Sequence, residues 1–557
     1  MLLKDLIANL ANQAVESAQK NGSLPAGPLP EIEVERPQNS EHGDFAISLP
    51  LKLARSVGIN PMAIAELLVP LIPKAEYISE VRVAGPGFMN FVLNTAWLQK
   101  ELDSILEERD SFGNIKRDIN ERVQLEFASV NPTGPLHVGH ARTAVLGSVL
   151  SNLLSAAGFE VSTEYYINDA GTQMDNFYKS LYARYMQELG YEIEMPESGY
   201  MGSYVTDLAK EIIAENQNQF VKSPEEKAVA EIGILGLSKM LSIIRNDLES
   251  INVHFDVWFS ETDELHKKGE PDSILKTLKK AGYIVNREGA TWFESTKLGE
   301  ERDNVLIRST GEPTYFALDI AYHSNKFLTR GFERVINIWG ADHQGHVSRM
   351  KAAVSAIGVD PERLDIIISQ LVALKHGDEV VRASKRTGEM ITMRDLVDEV
   401  GADACRFFFL SRTPESQMEF DMELAKKEST DNPVYYVQYA HARIAGIMNL
   451  ANENGMDYTS GDTKLLTHPA ETALIKKMLA LPELIDHIGG SMEAHLLPKY
   501  ATELAAAFHW FYQQCRVVSE IKEESDLTMA RLKLVECCRI VFARCLSLMG
   551  MSAPEKM

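Results

Sequence analysis

The stretch Val123-Gln-Leu-Glu126-Phe-Ala-Ser-Val-Asn131-Pro-Thr-Gly134-Pro-Leu-His137-Val-Gly139-His140 decides the fold of the middle of this chain. Val123 to Ala128 is strand-like. Asn131 to Pro135 is a loop stiffened by two prolines and a glycine. Val138 to Ala157 has the apolar period of a long helix and stops at Gly158. Glu160 to Ile167 reads as a strand again. Strand, turn, helix and strand in about 45 residues form a βαβ unit, which requires a parallel sheet. His137 and His140 stand at i, i+3, on one face of the helix's first turn. The free N–H groups and the positive end of the helix dipole point the same way, so the turn is suited to an anion. Imidazoles there can donate to phosphate oxygens whose charge grows in a transition state. Gly139 removes a side chain and lets a flat group approach the backbone. A bare His-x-Gly-His fits a helix cap and a packing residue equally well.

Outward from this unit, residues 171–250 read as a helical, charged insertion, and the nucleotide fold resumes near Phe255. Val305–Arg308, Arg334–Trp339 and Leu364–Leu374 are strand candidates, and His343–Ile357 is a helix between the last two. From about Leu396 the chain reads as almost entirely helical. Towards the N-terminus, Leu2, Leu3, Leu6, Ile7 and Leu10 form a helical stripe. Val81–Ala84 and Phe88–Leu93, joined by Gly85-Pro86-Gly87, predict a hairpin. These patterns divide the chain into an α+β unit over 1–95, a linker over 96–120, a Rossmann-type α/β domain with a parallel sheet over 121–395, a connecting helical segment over 396–430, and an all-α domain over 431–557.

Composition agrees with several cored domains. The chain has 557 residues, 45% of them apolar, which at about 100–200 residues per domain gives room for three to five. No apolar run approaches the roughly 20 residues of a bilayer span, so no membrane partner is expected. The first residues lack a basic n-region, and the five cysteines match no zinc-knuckle spacing; a cytoplasmic protein with reduced thiols is expected. The net charge of −23 argues against general coating of nucleic acid. Residues 431–557, with 12 basic and 15 acidic side chains, are closer to neutral than the rest.

A second chemical signal is Arg382-Ala-Ser384-Lys385-Arg386-Thr387-Gly388, a cationic loop suited to a triphosphate. A second His-x-Gly-His, His343-Gln-Gly-His346, opens a competing reading, a zinc hydrolase using four histidines. No metal is expected, because the His-Glu-x-x-His frame is absent.

Taken in order, Asn131-Pro-Thr-Gly-Pro-Leu-His-Val-Gly-His140 and Ala383-Ser-Lys-Arg386 resemble the paired signatures of class I aminoacyl-tRNA synthetases. Tyr315-Phe-Ala-Leu-Asp319, Trp339-Gly-Ala-Asp342-His343-Gln-Gly-His346, Gly401-Ala-Asp-Ala-Cys-Arg406, Tyr436-Val-Gln-Tyr-Ala-His-Ala-Arg443 and Ala84-Gly-Pro-Gly-Phe88-Met-Asn90 narrow the resemblance to the arginyl-tRNA synthetase family, nearly end to end. The resemblance implies an N-terminal domain on the tRNA elbow, a catalytic domain and a helical anticodon-binding domain. It implies ATP-dependent activation of L-arginine and transfer to tRNA(Arg), with Mg2+ accompanying ATP, by a chain expected to be monomeric. It also implies that activation needs bound tRNA. The same fold charging another amino acid is the nearest alternative.

The resemblance further assigns residues. Glu126, Asn131, Tyr315 and Asp319 bind arginine; a guanidinium pocket needs carboxylates. His137, His140 and Lys385 are the catalytic residues. ATP contacts fall on His137, Gly139, His140, Gly340, Asp342, His343, Ser384 and Lys385, with Gly139 letting adenine lie flat. Phe88 and Asn90 match contacts to a D-loop base, and Tyr439 and Arg443 stand on the anticodon side. Two departures matter. The second signature usually opens Lys-Met, where this chain has Arg382-Ala383. Gly134 occupies a place where many arginyl enzymes carry a compensating lysine, which concentrates expectation on Lys385.

Overall fold

The computed structural model of the protein describes residues 2–37, 39–117, 120–377, 379–381, 390–519 and 521–557. At the N-terminus, β1 (Val34–Glu35), β2 (Phe45–Ile47), β3 (Ile78–Ala84) and β4 (Phe88–Leu93) form an antiparallel sheet in the order β1-β2-β4-β3. The helix Leu3–Lys20 buries Ile7, Leu10, Ala11, Ala14, Val15 and Ala18 on one stripe. Most of that stripe shares a core with Phe45, Ile47, Met89 and Phe91. The β3–β4 turn requires glycine at Gly87, where φ is +144° and a Cβ would lie 2.5 Å from the side chain of Pro61.

The chain then forms β5 (Arg122–Glu126), β6 (Glu160–Ile167) and β7 (Val257–Ser260). An excursion follows, β8 (Ile284–Arg287), β9 (Ala290–Phe293) and β10 (Asn304–Ile307), before β11 (Arg334–Gly340) and β12 (Leu364–Ser369). Five of these strands make one parallel sheet in the order β12-β11-β5-β6-β7. Its middle strands are apolar in runs, as Val335, Ile336, Val123 and Leu125 show, because helices cover both faces. Strand order reverses between β5 and β11, and an open α/β sheet binds ligands at the carboxyl ends of such a pair.

The helix Val138–Ala156 links β5 to β6 and lies tight on the strand exit. A Cβ on Gly147 would fall 2.0 Å from the ring of Phe127, so only glycine permits that approach. Helices Thr172–Glu188, Ser203–Asn216 and Glu225–Ser250 lie between β6 and β7.

Four expectations need correction. Ala128 is not strand: β5 ends at Glu126, and Ala128 has φ +55°. The strand expected at Val305–Arg308 belongs to the separate antiparallel sheet β10-β9-β8, because β10 pairs with β9. The single strand expected over Leu364–Leu374 is two: β12, and β13 (Val372–His376) in another sheet with β14 (Glu379–Val381) and β15 (Met418–Asp421). β15 lies within the otherwise almost entirely helical stretch after Leu396. Finally, His343–Ile357 begins as a 3-10 turn, Ala341–His346, and becomes α-helix only over Val347–Ala356.

The C-terminal part contains helices Pro433–Glu453, Pro469–Met478, Leu481–Ser491, Leu496–Gln514 and Ser525–Leu548. All five cysteines are buried and unbridged. Buried Arg406 donates to the carbonyls of Ile251 (2.5 Å), Asn252 (3.0 Å) and Met549 (2.5 Å) and to Ser148 Oγ (3.0 Å), tying this region to the helix that starts at His137.

Candidate active site

His137 is the N-cap of the helix Val138–Ala156. Its Nδ1 accepts the N–H of Gly139 at 3.1 Å, and His140 Nδ1 accepts the N–H of His137 at 3.2 Å. The two rings stack with centroids 3.4 Å apart. Capping and pairing thus coexist in the same histidines. Burial lowers the pKa of His137; burial and then the neighbouring His137 bring that of His140 to about 3. Both rings are neutral near pH 7. With each Nδ1 accepting, the remaining proton of each ring sits on Nε2. The turn therefore carries two neutral imidazole donors of fixed tautomer at the strand-order reversal.

A Cβ on Gly139 would meet His137 Cε1 at 3.0 Å. The missing side chain makes room for the capping ring, which is a reason for glycine here independent of any base lying flat. Tyr165 Oη donates to Val130 O at 3.1 Å and Tyr204 Oη to Thr133 O at 2.8 Å, fixing the loop that feeds the helix. Wholly buried Arg142 donates to the carbonyls of Gln370 (2.9 Å), Ser416 (2.9 Å) and Thr413 (2.8 Å).

Glu126 ends β5, next to this loop. Asp319 lies one turn after Tyr315 on the helix Tyr315–Ser324. Burial raises the Asp319 carboxyl to about 7, helped by the negative charge of Glu126, against the pull of Arg349. Glu261 also raises it and Lys326 lowers it. Tyr166 Oη donates to Glu261 Oε2 at 2.6 Å, and burial followed by the field of Glu261 pushes the phenol pKa upward, with smaller contributions from Asp319 and Glu126. Four oxygen-bearing groups thus share one negative pocket. Tyr315 is 52% exposed at its mouth, with its hydroxyl 3.7 Å from where a Gly171 Cβ would be. Asn131 Nδ2 donates to Gln173 Oε1 at 2.5 Å on the same side.

Beneath the pocket, Lys326 Nζ donates to Glu126 Oε2 at 2.6 Å and to Asn337 Oδ1 at 2.9 Å. Glu164 takes both Arg330 and the Tyr322 hydroxyl. Sequence reading missed Tyr166, Glu261 and Lys326. The last had a visible signal, since Tyr315, Asp319, Tyr322, His323 and Lys326 recur at helical spacing on one stripe.

Gly340 ends β11, and Asp342 and His343 follow on the exposed 3-10 turn with His343 Nε2 3.4 Å from Asp342 Oδ2. A Cβ on Gly340 would collide with Asp342 Oδ1 at 2.6 Å. Ser384, Lys385 and Arg382 lie outside the described residues. The chain after them returns to the first loop: Thr392 bridges to His137, and Met393 N donates to Leu136 O at 2.7 Å. The segment from Thr392 to Met393 is therefore joined to the first signature at Leu136 and His137.

In the N-terminal sheet, Phe88 and Asn90 alternate to the face of β4 opposite Met89 and Phe91; Asn90 is only 5% exposed there, between Ala46 and Arg82. Tyr435 and Tyr439 stack at 5.7 Å with planes 10° apart, and Arg443 lies over Tyr439 (5.4 Å) and Tyr512 (4.5 Å). The sequence reading did not include Tyr512 or His509, which packs on Tyr436 and Tyr439.

A five-stranded parallel sheet with a His-x-Gly-His turn at its reversal defines a class I aminoacyl-tRNA synthetase catalytic domain. Residues 101–423 match the family model for the tRNA synthetases class I (R) catalytic domain, residues 3–93 the arginyl tRNA synthetase N terminal domain, and residues 437–557 the DALR anticodon binding domain. The chain belongs to the arginyl-tRNA synthetase family. It is 52% identical to an arginine–tRNA ligase of Dehalococcoides mccartyi, covering 100% of this chain and 99% of the relative. It is 48% identical to that of Heliobacterium modesticaldum, covering 98% and 97%. The arginyl-tRNA synthetase of Thermus thermophilus shares the fold over the whole of both chains, with TM-score 0.77 at 22% identity.

Proposed function

We propose that this chain ligates L-arginine to tRNA(Arg) at the expense of ATP, as a cytoplasmic monomer. The arginine carboxylate oxygen bonds to the α-phosphorus, the bond from that phosphorus to the β-phosphate oxygen breaks, and pyrophosphate leaves. The terminal 2′-hydroxyl of tRNA then attacks the arginyl carbonyl and AMP leaves. Glu126 and Asp319 hold the guanidinium, with Tyr315 and Asn131 at the mouth. The Nε2–H groups of His137 and His140 donate to the α-phosphate oxygens as charge builds. Gly340, Asp342 and His343 border the adenosine; Ser384 and Lys385 serve the departing pyrophosphate. Mg2+ enters as the companion of ATP. Phe88 and Asn90 meet the tRNA elbow, and Tyr439 and Arg443 the anticodon, on domains we place at 1–95 and 431–557.

The observation that carries this reading is the pair of neutral, Nε2–H imidazoles beside a pocket of several acids. Pyrophosphate exchange with a panel of amino acids tests it. Exchange with arginine alone, and only when tRNA is added, is the expected result; exchange driven by another amino acid refutes it.

A further inference from the structure

The ammonium of Lys326 is wholly buried and has three neighbours: Glu126 Oε2 at 2.6 Å, Asn337 Oδ1 at 2.9 Å and the face of Tyr322 at 4.1 Å from its ring centroid. Asn337 stands directly across from Glu126 in the β11–β5 register. Its Nδ2 donates to His323 Nε2 at 2.8 Å, and His323 Nδ1 donates to the carbonyl of Asp319 at 2.7 Å. Since Asn337 Oδ1 accepts from an ammonium, its amide can face only this way, and the His323 tautomer follows. One hydrogen-bonded chain therefore runs from the Glu126 carboxylate to the backbone beneath Asp319. The other Glu126 oxygen, Oε1, takes no hydrogen bond within the described residues. Stability alone gives little reason for this arrangement, because a buried ion pair is often matched or exceeded by apolar side chains of similar volume.

We propose that Lys326 is a positioning residue for arginine recognition: it anchors one oxygen of Glu126, leaves the other for the substrate guanidinium, and through Asn337 and His323 fixes the helix turn that carries Asp319. This rests on the reading that Glu126 and Asp319 hold the arginine side chain. Lys326 also occupies the pocket floor with a cation of its own. The substrate then meets an oriented acid without competing for its second oxygen.

The test is a double-mutant cycle on the full-length enzyme with tRNA present, measuring arginine KM, ATP KM and kcat for wild type, Lys326→Met, Glu126→Gln and the double variant. Lys326→Met is expected to raise arginine KM by about 10–50-fold and to leave ATP KM within about twofold. In the Glu126→Gln background the same change is expected to add less than about threefold, because its main route of action is already gone. An unchanged arginine KM in Lys326→Met, with Glu126→Gln still impaired, overturns the role of Lys326 and leaves the pocket standing. Fully multiplicative effects overturn it too. An unchanged KM in Glu126→Gln overturns the pocket itself. Should Lys326→Met not fold, Asn337→Ala tests the chain from its far side; arginine KM is expected to rise about fivefold with ATP KM constant, and equal KM values for wild type and variant refute the proposal.

Discussion

The two halves of the cleft solve opposite electrostatic problems. On the side we propose for phosphate, an anion, the protein presents neutral donors: stacked His137 and His140, with their Nδ1 atoms occupied by backbone N–H groups. On the side we propose for arginine, a cation, it presents carboxylates that are already partly matched, Glu126 by Lys326 and Glu261 by Tyr166 and His266. Donors that need no proton lose nothing between binding and the transition state. Buried acids, in contrast, would protonate without internal partners, and Asp319, which has no direct ion pair among the described residues, sits at about 7. In the function we propose, the histidine side serves rate and the acid side affinity.

Substitutions that separate rate from affinity sharpen this contrast. His140→Ala removes a donor to charge that develops in the transition state. It is expected to slow single-turnover adenylate formation by about 10²–10³-fold while arginine KM stays within about threefold. A rise in arginine KM with an unaltered rate would break the division between the two halves. Glu126→Gln acts on the other half. Loss of one charged hydrogen bond, about 1.5–3 kcal/mol, is expected to raise arginine KM by about 10–100-fold with little change in kcat. Steady-state exchange kinetics at saturating ATP measure both parameters.

The halves also differ in how far they could be read from sequence. The His137–His140 turn is local: strand, loop and helix start are contiguous, so spacing alone carries the geometry. The helix Val138–Ala156 and strand β6 were likewise legible, because apolar period and Gly158 mark them. The acid pocket is assembled from β5, β6, the segment after β7, the helix at Tyr315 and β11. Only its family-matched members, Glu126, Asn131, Tyr315 and Asp319, were named in advance. Glu261 and Tyr166 reach it through tertiary contacts that no spacing encodes. The strand expected at Val305–Arg308 forms, but in another sheet, for a related reason: a short apolar run does not say which sheet it will join.

A smaller effect is expected away from the cleft, where the tail offers Tyr439 stacked on Tyr435 with Arg443 above it. Stacking one base on an aromatic ring is worth about 1–3 kcal/mol, so Tyr439→Ala is expected to raise tRNA KM by about tenfold and to leave arginine KM unchanged. Equal tRNA KM values for variant and wild type would remove Tyr439 from the RNA surface. A change in arginine KM would instead tie the tail to the amino-acid half.

The finest test concerns the Asp319 carboxyl. Asp319 faces Glu126, Glu261, Arg349 and Lys326, and its carboxyl titrates near 7. Arginine prefers the carboxylate, so arginine KM is expected to fall as pH rises from 6 to 8, and that slope is expected to vanish in Asp319→Asn. Stability runs the other way. A folded-state pKa above the unfolded value means that the folded protein holds the proton more tightly. The contribution is full below the ordinary carboxyl range and is lost as pH rises through about 7. Asp319→Asn is therefore expected to raise the unfolding midpoint at pH 8 by something on the order of 2 °C relative to wild type, and by less at pH 5. A variant that lowers the midpoint at pH 8 would mean that Asp319 is fully compensated in the free enzyme. The amino-acid half would then be as electrostatically settled as the histidine turn, and the contrast between the two halves would lose its charge component.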